Sequence, residues 1–195
     1  MFRYFAIHKP FGMLSQFTRE GDKQSLADLE FSFPKDVYPI GRLDADSEGL
    51  LLLSNDPSVN KAILDPLQMH WRTYLVQVEG EINQVACELI AKGVSVNIKG
   101  KNHKTLPCNA RLIPPPQNIH ERVPPVRFRK SIPTSFVLLE LREGKYRQVR
   151  KMTAAVGFPT LRLIRLGIED IHLGDLRPGA VQEFEKATFF SKLKI

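Results

Sequence analysis

The most informative stretch of this 195-residue sequence reads Gly41-Arg42-Leu43-Asp44-Ala45-Asp46-Ser47-Glu48-Gly49-Leu50-Leu51-Leu52-Leu53-Ser54-Asn55-Asp56. Just before it, the short segment Val37-Tyr38-Pro39-Ile40 favours a β-strand. The four consecutive leucines, with turn residues on both sides, predict a second strand that is buried. Asp44 is therefore expected on a short connection between two buried strands, where an acidic side chain loses hydration unless it is paired.

Local sequence leaves two interpretations of Asp44 open. In the first, Asp44 is a turn residue whose carboxylate bonds to its own backbone, as aspartates in turns often do. In the second, it is a carboxylate held at the end of a strand by a rigid scaffold, which is a suitable position for catalysis. The two interpretations predict the same local fold and differ only in function.

The charge of the chain indicates a polyanionic partner. The sequence has 28 Lys and Arg residues against 21 Asp and Glu residues, a net charge of +7 and a pI near 9.5. The excess is local, because residues 101–151 hold 12 of the basic residues and only 3 of the acidic ones. A one-sided basic segment is typical of proteins that bind a phosphate backbone. A solvated basic face without a partner is the alternative on charge alone.

Length and cysteine content narrow the class of protein. A chain of 195 residues fits one domain, or one domain of two lobes, with a sizeable core. Cys87 and Cys108 lack the spacing of metal ligands or of a disulfide framework, which predicts reduced thiols in a cytoplasmic protein. Because the apolar runs are too short for a membrane span, no membrane partner is expected. Clustered metal ligands and a glycine-rich phosphate loop are also missing from the sequence, so no metal or other cofactor is expected.

Periodicity and turn residues predict an α+β fold with a mixed or antiparallel sheet. The clearest strand is 71–80, in which Arg72, Tyr74, Val76 and Val78 share one face. Further strands are predicted at 3–9, 94–98, 108–113, 135–141 and 161–167, and helices at 82–92, at 146–156 and from Asp56-Pro57 onward. The segment after residue 167 is expected to consist largely of loops.

Residues 114–133 contain six prolines and are not expected to form regular secondary structure. The segment carries Arg122, Arg127, Arg129 and Lys130, and loops of this length are usually functional or disordered. Since its charge is almost all positive, an arm that touches RNA is one interpretation, and a plain linker is the other.

The helix predicted after Gly144 has two different faces. Arg147, Arg150 and Lys151 are three and four residues apart and share one face. An apolar face on the other side consists of Val149, Met152 and Val156. The pattern predicts a helix that packs through its apolar side and presents cations on the other, either to a partner or to solvent.

Three motifs resemble those of the RsuA-type ribosomal RNA pseudouridine synthases. They are the Gly-Arg-Leu-Asp stretch with its leucine run, Ala6-Ile7-His8-Lys9-Pro10, and Glu143-Gly144-Lys145-Tyr146-Arg147-Gln148-Val149-Arg150-Lys151-Met152. The resemblance spans most of the chain, from Ala6 to about Arg165. Within the family, the segments at 127–135 and 156–165 are most similar to a branch that modifies large-subunit ribosomal RNA.

The resemblance implies a fold for the whole chain. Members share a pseudouridine synthase catalytic fold, in which a mixed, mainly antiparallel sheet forms two lobes around a central cleft. Here the lobes are expected at about residues 1–60 and 61–195 of one catalytic domain. Many members also carry an N-terminal S4 RNA-binding domain, which is expected to be absent from this chain.

The resemblance also implies roles for individual residues. Asp44 matches the catalytic aspartate, and Arg150 matches an arginine that pairs with it, holds it in one orientation and keeps it ionised. Tyr74 matches a tyrosine that stacks on the target base, although Arg72 stands where the family usually has Lys in Lys-x-Tyr. The supporting residues implied around the site are Arg42, Leu43 and Leu163. Those implied in RNA binding are Arg72, Arg127, Arg129, Lys130, Lys145, Arg147 and Lys151.

The activity implied is the isomerisation of one uridine of large-subunit ribosomal RNA to pseudouridine, with the target base flipped out of its stack. An aspartate nucleophile needs no cofactor, and the protein is expected to be a monomer. A non-catalytic RNA-binding or ribosome-assembly protein is the main alternative. A hydrolase that uses Asp44 and Asp46 as paired carboxylates and a small-molecule lyase are weaker ones.

Overall fold

The computed structural model describes residues 1–127, 129 and 131–195. The strands in this part of the chain are β1 (Tyr4–Lys9), β2 (Tyr38–Pro39), β3 (Glu48–Ser54), β4 (Arg72–Glu79), β5 (Ser95–Ile98), β6 (Lys101–Lys104), β7 (Asn109–Ile113), β8 (Thr134–Leu141), β9 (Thr160–Ile168), β10 (Ile171–His172) and β11 (Val181–Phe184). The helices are α1 (Pro57–Leu64), α2 (Gln84–Lys92), α3 (Gln148–Ala155) and α4 (Lys186–Leu193). Strands pair mostly antiparallel, while β3 and β9 pair in parallel. The predicted α+β fold with a mixed, mainly antiparallel sheet is confirmed.

The chain divides into two compact units. The first unit comprises residues 1–70 and 164–195, and the second comprises residues 71–163. The sequence-based boundary near residue 60 differs from this division, as does the assignment of residues 164–195 to the second lobe. The physical reason is a long-range strand pair, in which Glu48 lies opposite Ile164 and Gly49 opposite Arg165. This pairing attaches the end of β9 and everything after it to the first unit.

Strand β1 is central to the sheet of the first unit. It pairs with β3 on one side and with β11 on the other, both in antiparallel register. Both β1 and β3 are buried along their whole length, and the four leucines of β3 have no exposed surface. The leucine run is therefore a strand covered on both faces, as its continuous apolar sequence predicted.

The end of the chain is more ordered than the sequence predicted. Instead of loops, the residues after 167 form β10, β11 and α4. Strands β10 and β11 are too short for an alternating pattern to stand out, and they are held by pairing with β9 and β1. Helix α4 buries Phe189, whose ring centroid lies 5.1 Å from that of Tyr4. Strand β11 and helix α4 depend on distant partners, which a local sequence pattern does not contain.

The second unit has an antiparallel sheet in which β8 lies between β4 and β7. Tyr74, Val76 and Val78 of β4 point into its core, together with residues of β8 and of helices α2 and α3. The predicted face of strand 71–80 is confirmed. Helix α2 starts at the predicted position within two residues, because Asn83 caps it by accepting a hydrogen bond from the amide of Ala86 at 2.9 Å.

A β-hairpin in the second unit was only half predicted. The sequence indicated strand β5, but the residues after it were interpreted as a turn region before the next strand. The structure forms β6 there and pairs it with β5. Lys99 and Gly100 both have positive φ, 51° and 84°, as the two central residues of a tight hairpin turn require. The turn was not predicted because its first central residue is Lys99, and lysine rarely adopts a positive φ.

Helix α3 starts two residues later than predicted. Arg147 is its N-cap, in a left-handed conformation with φ 52° and ψ 31°, so Tyr146 lies in the loop before the helix. The C-terminal end is as predicted, since Gly157 follows the cap residue Val156 with φ 91° and donates to the carbonyl of Ala154. Val149 and Met152 are buried, which confirms the predicted apolar face.

The proline-rich arm forms neither helix nor strand where the structure describes it, at residues 114–127, 129 and 131–133. Arg122 folds part of it by donating to the carbonyls of Pro124 and Pro125 at 2.8 and 3.0 Å. Arg162 of β9 donates to the carbonyl of His120 at 2.8 Å. These contacts attach the arm to the second unit. In the described residues, the helices are all too short or too polar to cross a membrane.

Candidate active site

Asp44 begins a tight turn between β2 and β3. The amide of Ser47 donates to the carbonyl of Asp44 at 2.9 Å, which closes the turn. The Asp44 side chain is half-buried. Asp44 thus lies on a short connection just before a buried strand, as predicted, and the geometry fits both interpretations of this residue. We call residues 43–47 the Asp44 turn.

Ser15 holds the first half of the Asp44 turn. Its hydroxyl donates to the carbonyl of Leu43 at 2.8 Å and accepts from the amide of the same residue at 3.0 Å. Both side chains are buried, so neither bond competes with water. The residue before the predicted catalytic aspartate is therefore fixed at both of its backbone polar groups.

Lys9, at the end of β1, and Gly12, in the turn that follows, hold the second half of the Asp44 turn. The amide of Gly12 donates to the carbonyl of Ala45 at 2.7 Å. The ammonium of Lys9 lies 3.4 Å from the same oxygen and donates to the carbonyls of Pro10 and Met13 at 2.9 and 2.7 Å. The Asp44 turn is thus bonded on both sides of Asp44 by residues about 30 positions away in sequence. Such support is what a side chain needs to be held in a productive geometry.

Lys9 is a supporting residue of the Asp44 turn that local sequence patterns did not identify. It has no exposed surface, although lysine is almost never fully buried without partners. Burial lowers the pKa of Lys9 from 10.5 to about 8, while the carboxylates of Glu48, Asp46 and Asp44 act in the opposite direction. The sequence feature that points to Lys9 is its position before Pro10 at the end of an apolar strand, within one of the family motifs.

Two further charged side chains are buried near Lys9. Glu48 and Arg165 are both buried, and the Nε of Arg165 donates to the carbonyl of Leu50 at 2.8 Å. Both also act on the Lys9 ammonium, Glu48 raising its pKa and Arg165 lowering it. Lys9, Glu48 and Arg165 therefore form a buried charged cluster in the first unit, beside the predicted catalytic aspartate.

The lowered pKa of Lys9 predicts a pH-dependent stability. Because the folded protein binds this proton more weakly than the unfolded chain, stability should rise with pH between about 8 and about 10.5 as the burial penalty disappears. Relative to Lys9→Met, the wild-type free energy of unfolding should increase by about 2 kcal/mol between pH 7 and pH 9.5. Urea unfolding of both proteins at the two pH values measures this difference. A difference that stays the same at both pH values would contradict a lowered pKa.

The two supporting residues predicted beside Asp44 lie in different environments. Leu43 is buried in the core of the first unit with Phe5, Ile7 and Leu51. Arg42 is exposed and donates to the side-chain oxygen of Gln16 at 3.1 Å. Leu43 thus anchors the turn from below, while Arg42 lies at the surface.

Tyr74 and Leu163 lie in the core of the second unit. Tyr74 is 9% exposed and Leu163 is 6% exposed. Arg72 lies on the same face of β4 as Tyr74, two residues nearer the start of the strand, and is half-buried. Tyr74 is therefore an aromatic residue of the core, and it lies next to Arg72 on the same face of β4.

Helix α3 presents the predicted arginines at its first turn. Arg150 is half-buried and its Nη1 donates to the carbonyl of Thr160 at 3.4 Å. Arg147 is half-buried at the N-cap. Asp44 belongs to the first compact unit, whereas Tyr74, Arg147 and Arg150 belong to the second.

Glu143 organises the loop before α3, and sequence reasoning missed it as well. Its carboxylate accepts from the side chain of Gln148 at 2.6 Å and from the amide of Leu106 at 2.7 Å, and it lies 3.0 Å from His103 Nε2. The Gln148 side-chain oxygen in turn accepts from the amide of Lys145 at 2.9 Å. One partly buried carboxylate thus joins the end of the β5–β6 hairpin to α3 and fixes the loop between Glu143 and Gln148.

Apart from Arg72 at the start of β4, the predicted RNA-binding residues fall into two groups. Lys145, Arg147 and Lys151 come together at the start of α3, and Lys151 donates to the carbonyl of Asn97 in the hairpin at 2.5 Å. The arm residues form the second group: Arg127 is exposed, Arg129 lies 3.2 Å from the carboxylate of Glu79, and Lys130 is outside the described residues. In the part of the chain that the structure describes, no three His, Cys, Asp or Glu side chains are placed to hold a metal ion.

Comparisons with known proteins identify relatives of the chain. A profile of the RNA pseudouridylate synthase family matches residues 3–155. The chain is 46% identical to "Ribosomal large subunit pseudouridine synthase E" of Vibrio parahaemolyticus, over 92% of this chain and 72% of the relative. It is 43% identical to the protein of the same name in Xanthomonas axonopodis pv. citri, over 88% of each.

The fold comparison gives the same result. A solved structure described as "Crystal structure of pseudouridylate synthase" superposes with a TM-score of 0.77 and 26% identity, over 99% of this chain and 74% of the other. The matched range 3–155 includes the Asp44 turn, β4 and α3, which carry the motifs used in the sequence analysis. The resemblance inferred from those motifs is confirmed: the chain belongs to the RNA pseudouridylate synthase family.

Proposed function

We propose that this protein converts one uridine of large-subunit ribosomal RNA to pseudouridine. The support for the substrate is its identity of 46% to a relative whose name gives that activity, over 92% of the chain. The basic segment at residues 101–151 is consistent with a phosphate backbone as partner. The family makes the reaction an isomerisation, so no atoms are gained or lost overall.

Asp44 is proposed to act on the sugar of the flipped nucleotide, by attack or by removal of a sugar proton. The bond between the sugar and N1 of the base breaks, the base rotates, and the sugar rejoins the base through C5. The proton displaced from C5 is lost while N1 gains one. Asp44 is restored, because its bond to the sugar breaks when C5 joins the sugar or because it returns the sugar proton. The hydrogen bonds of Ser15, Gly12 and Lys9 support this role, because a nucleophile must be held in position before the substrate arrives.

Three residues of the second unit complete the proposal. The family resemblance assigns Arg150 to the carboxylate of Asp44, which a guanidinium would keep ionised and oriented. It assigns Tyr74 to stacking against the target base, with Arg72 beside it. Stacking of this kind contributes roughly 1–3 kcal/mol per base. We propose that Arg42, Leu43 and Leu163 support these groups, and that the cations of α3 and the arm bind RNA phosphates.

We also infer that the protein acts in the cytoplasm, where its proposed ribosomal RNA substrate is found, and that it is a monomer. Sedimentation of the purified protein should then give a mass near the 22.2 kDa of one chain. A stable dimer at micromolar concentration would contradict this part of the proposal and leave the activity unaffected.

The activity is tested by mapping pseudouridine on RNA treated with the purified protein. Transcripts of large-subunit and small-subunit ribosomal RNA are labelled with carbodiimide and analysed by reverse transcription. One new stop on the large-subunit transcript, and none on the small-subunit transcript, is expected. If neither transcripts nor ribosomal assembly intermediates gain a stop while RNA binding persists, the protein is an RNA-binding protein and the proposal is wrong.

A further inference from the structure

Tyr146 is an exposed aromatic residue that the proposed reaction does not use. Of the four tyrosines in the chain, Tyr4 and Tyr74 are buried, whereas Tyr38 and Tyr146 are 65% and 54% exposed. Tyr146 differs from Tyr38 in its surroundings, because Lys145 precedes it and Arg147 follows it. An exposed aromatic ring among cations is the arrangement that proteins use to bind single-stranded nucleic acid.

The loop that carries Tyr146 is held from inside. Glu143 bonds the side chain of Gln148, and Gln148 bonds the backbone amide of Lys145. The amide of Gln148 also donates to the carbonyl of Lys145 at 3.1 Å. Because these bonds fix the backbone on both sides of Tyr146, binding a ligand on its ring requires little further ordering of the loop.

One lysine lies against the Tyr146 ring, and others lie beside it in the sequence or on the neighbouring hairpin. The ammonium of Lys151 lies 5.3 Å from the centroid of the Tyr146 ring and bonds the carbonyl of Asn97, so the β5–β6 hairpin lies next to it. Lys145 before the ring and Lys99 and Lys101 at the hairpin turn are exposed. We call Tyr146 and these four lysines the Tyr146 surface. Lys104, at the other end of β6, is the control for Lys99 and Lys101, because its ammonium donates to the carbonyl of Gly93 at 2.5 Å.

We propose that the Tyr146 surface binds an unpaired nucleotide of the RNA substrate, other than the target uridine. The base stacks on the exposed ring of Tyr146, and the adjoining phosphates bind Lys99, Lys101 and Lys145. Lys151 positions the Tyr146 ring against the hairpin, since its ammonium lies 5.3 Å from the ring centroid and bonds the carbonyl of Asn97. This inference rests on the proposed RNA substrate and adds a second binding site to it.

The test compares three variants in binding to the large-subunit transcript. Tyr146→Ala should raise the dissociation constant by about 5- to 150-fold, the range expected for the loss of one stacked base. Tyr146→Phe keeps the ring and should bind like wild type. Tyr38→Ala removes an equally exposed tyrosine from the first unit and serves as the matched control, which should also bind like wild type.

Salt dependence tests the lysines separately. The plot of log affinity against log salt has a negative slope. For single-stranded RNA, the double variant Lys99→Ala/Lys101→Ala should make this slope less steep by about 1.4, whereas Lys104→Ala should leave it unchanged. If Tyr146→Ala binds as tightly as wild type, or Tyr146→Phe as weakly as Tyr146→Ala, stacking on Tyr146 is ruled out. The proposed function fails differently, through a wild-type protein that forms no pseudouridine, so the two failures can be told apart.

Discussion

Replacing Asp44 with asparagine is expected to abolish pseudouridine formation. Asparagine is almost the same size and keeps the backbone bond from Ser47, so the turn should still form. It cannot attack or accept a proton as a carboxylate does, and the rate should fall by about 10⁴-fold or more. Binding of the transcript should persist or become tighter, because a negative charge is removed near the RNA phosphates. Single-turnover rates and dissociation constants of both proteins, measured on one transcript, give the comparison.

Asp46→Asn is the matched control, because it removes a carboxylate from the same turn. Its rate should stay within about tenfold of wild type, since the family motif assigns no chemistry to this position. Equal losses in both variants would instead support a mechanism that uses two carboxylates. An Asp44→Asn protein with wild-type activity would remove Asp44 from the mechanism altogether.

Replacing Gly49 with alanine is expected to be the most destabilising small change in the first unit. Gly49 has a φ of 103°, which residues with a side chain rarely adopt. A Cβ at this position would lie 2.3 Å from the carbonyl oxygen and 2.7 Å from the amide nitrogen of Arg165. These are backbone atoms of the paired strand β9, so they can move only if the pairing of β3 and β9 is disrupted. Backbone strain and the clash together should cost about 3 kcal/mol or more.

Gly12→Ala separates the two contributions. Gly12 has a similar positive φ of 83°, but a Cβ there would have no neighbour within 4 Å. Its cost should therefore be the backbone strain alone, about 1–2 kcal/mol. Urea unfolding monitored by circular dichroism measures both variants against wild type. Equal losses in the two variants would mean that β9 can move away from position 49 at no cost.

The sequence predicted most elements of the second unit because they are long and regular. Strand β4 alternates, helices α2 and α3 repeat their apolar residues every three or four positions, and Gly157 ends α3 where expected. The predictions were wrong where the backbone takes a conformation unusual for its residue. Lys99 and Arg147 both have positive φ, so the hairpin turn and the start of α3 could not be located from side-chain preference.

In the candidate site too, some residues could be predicted from the sequence and others could not. The motifs identified Asp44, Tyr74 and Arg150 because the residues of each motif are contiguous in sequence. The motifs did not reveal what holds them, since Ser15 bonds Leu43, 28 positions away, and Glu143 bonds Leu106, 37 positions away. Hydrogen-bond partners at that distance follow from the path of the chain and leave no periodic trace in the sequence.

Sequence alone determined the family, the burial of the leucine strand and the position of Asp44 between two strands. It could do so because burial on both faces demands a continuous apolar run and because the family motif is long. Only the tertiary structure decided that the chain returns to the first unit at residue 164, and that a fully buried Lys9 supports the Asp44 turn. Both depend on contacts between distant residues, whose favourable free energy exists only once the strands have paired.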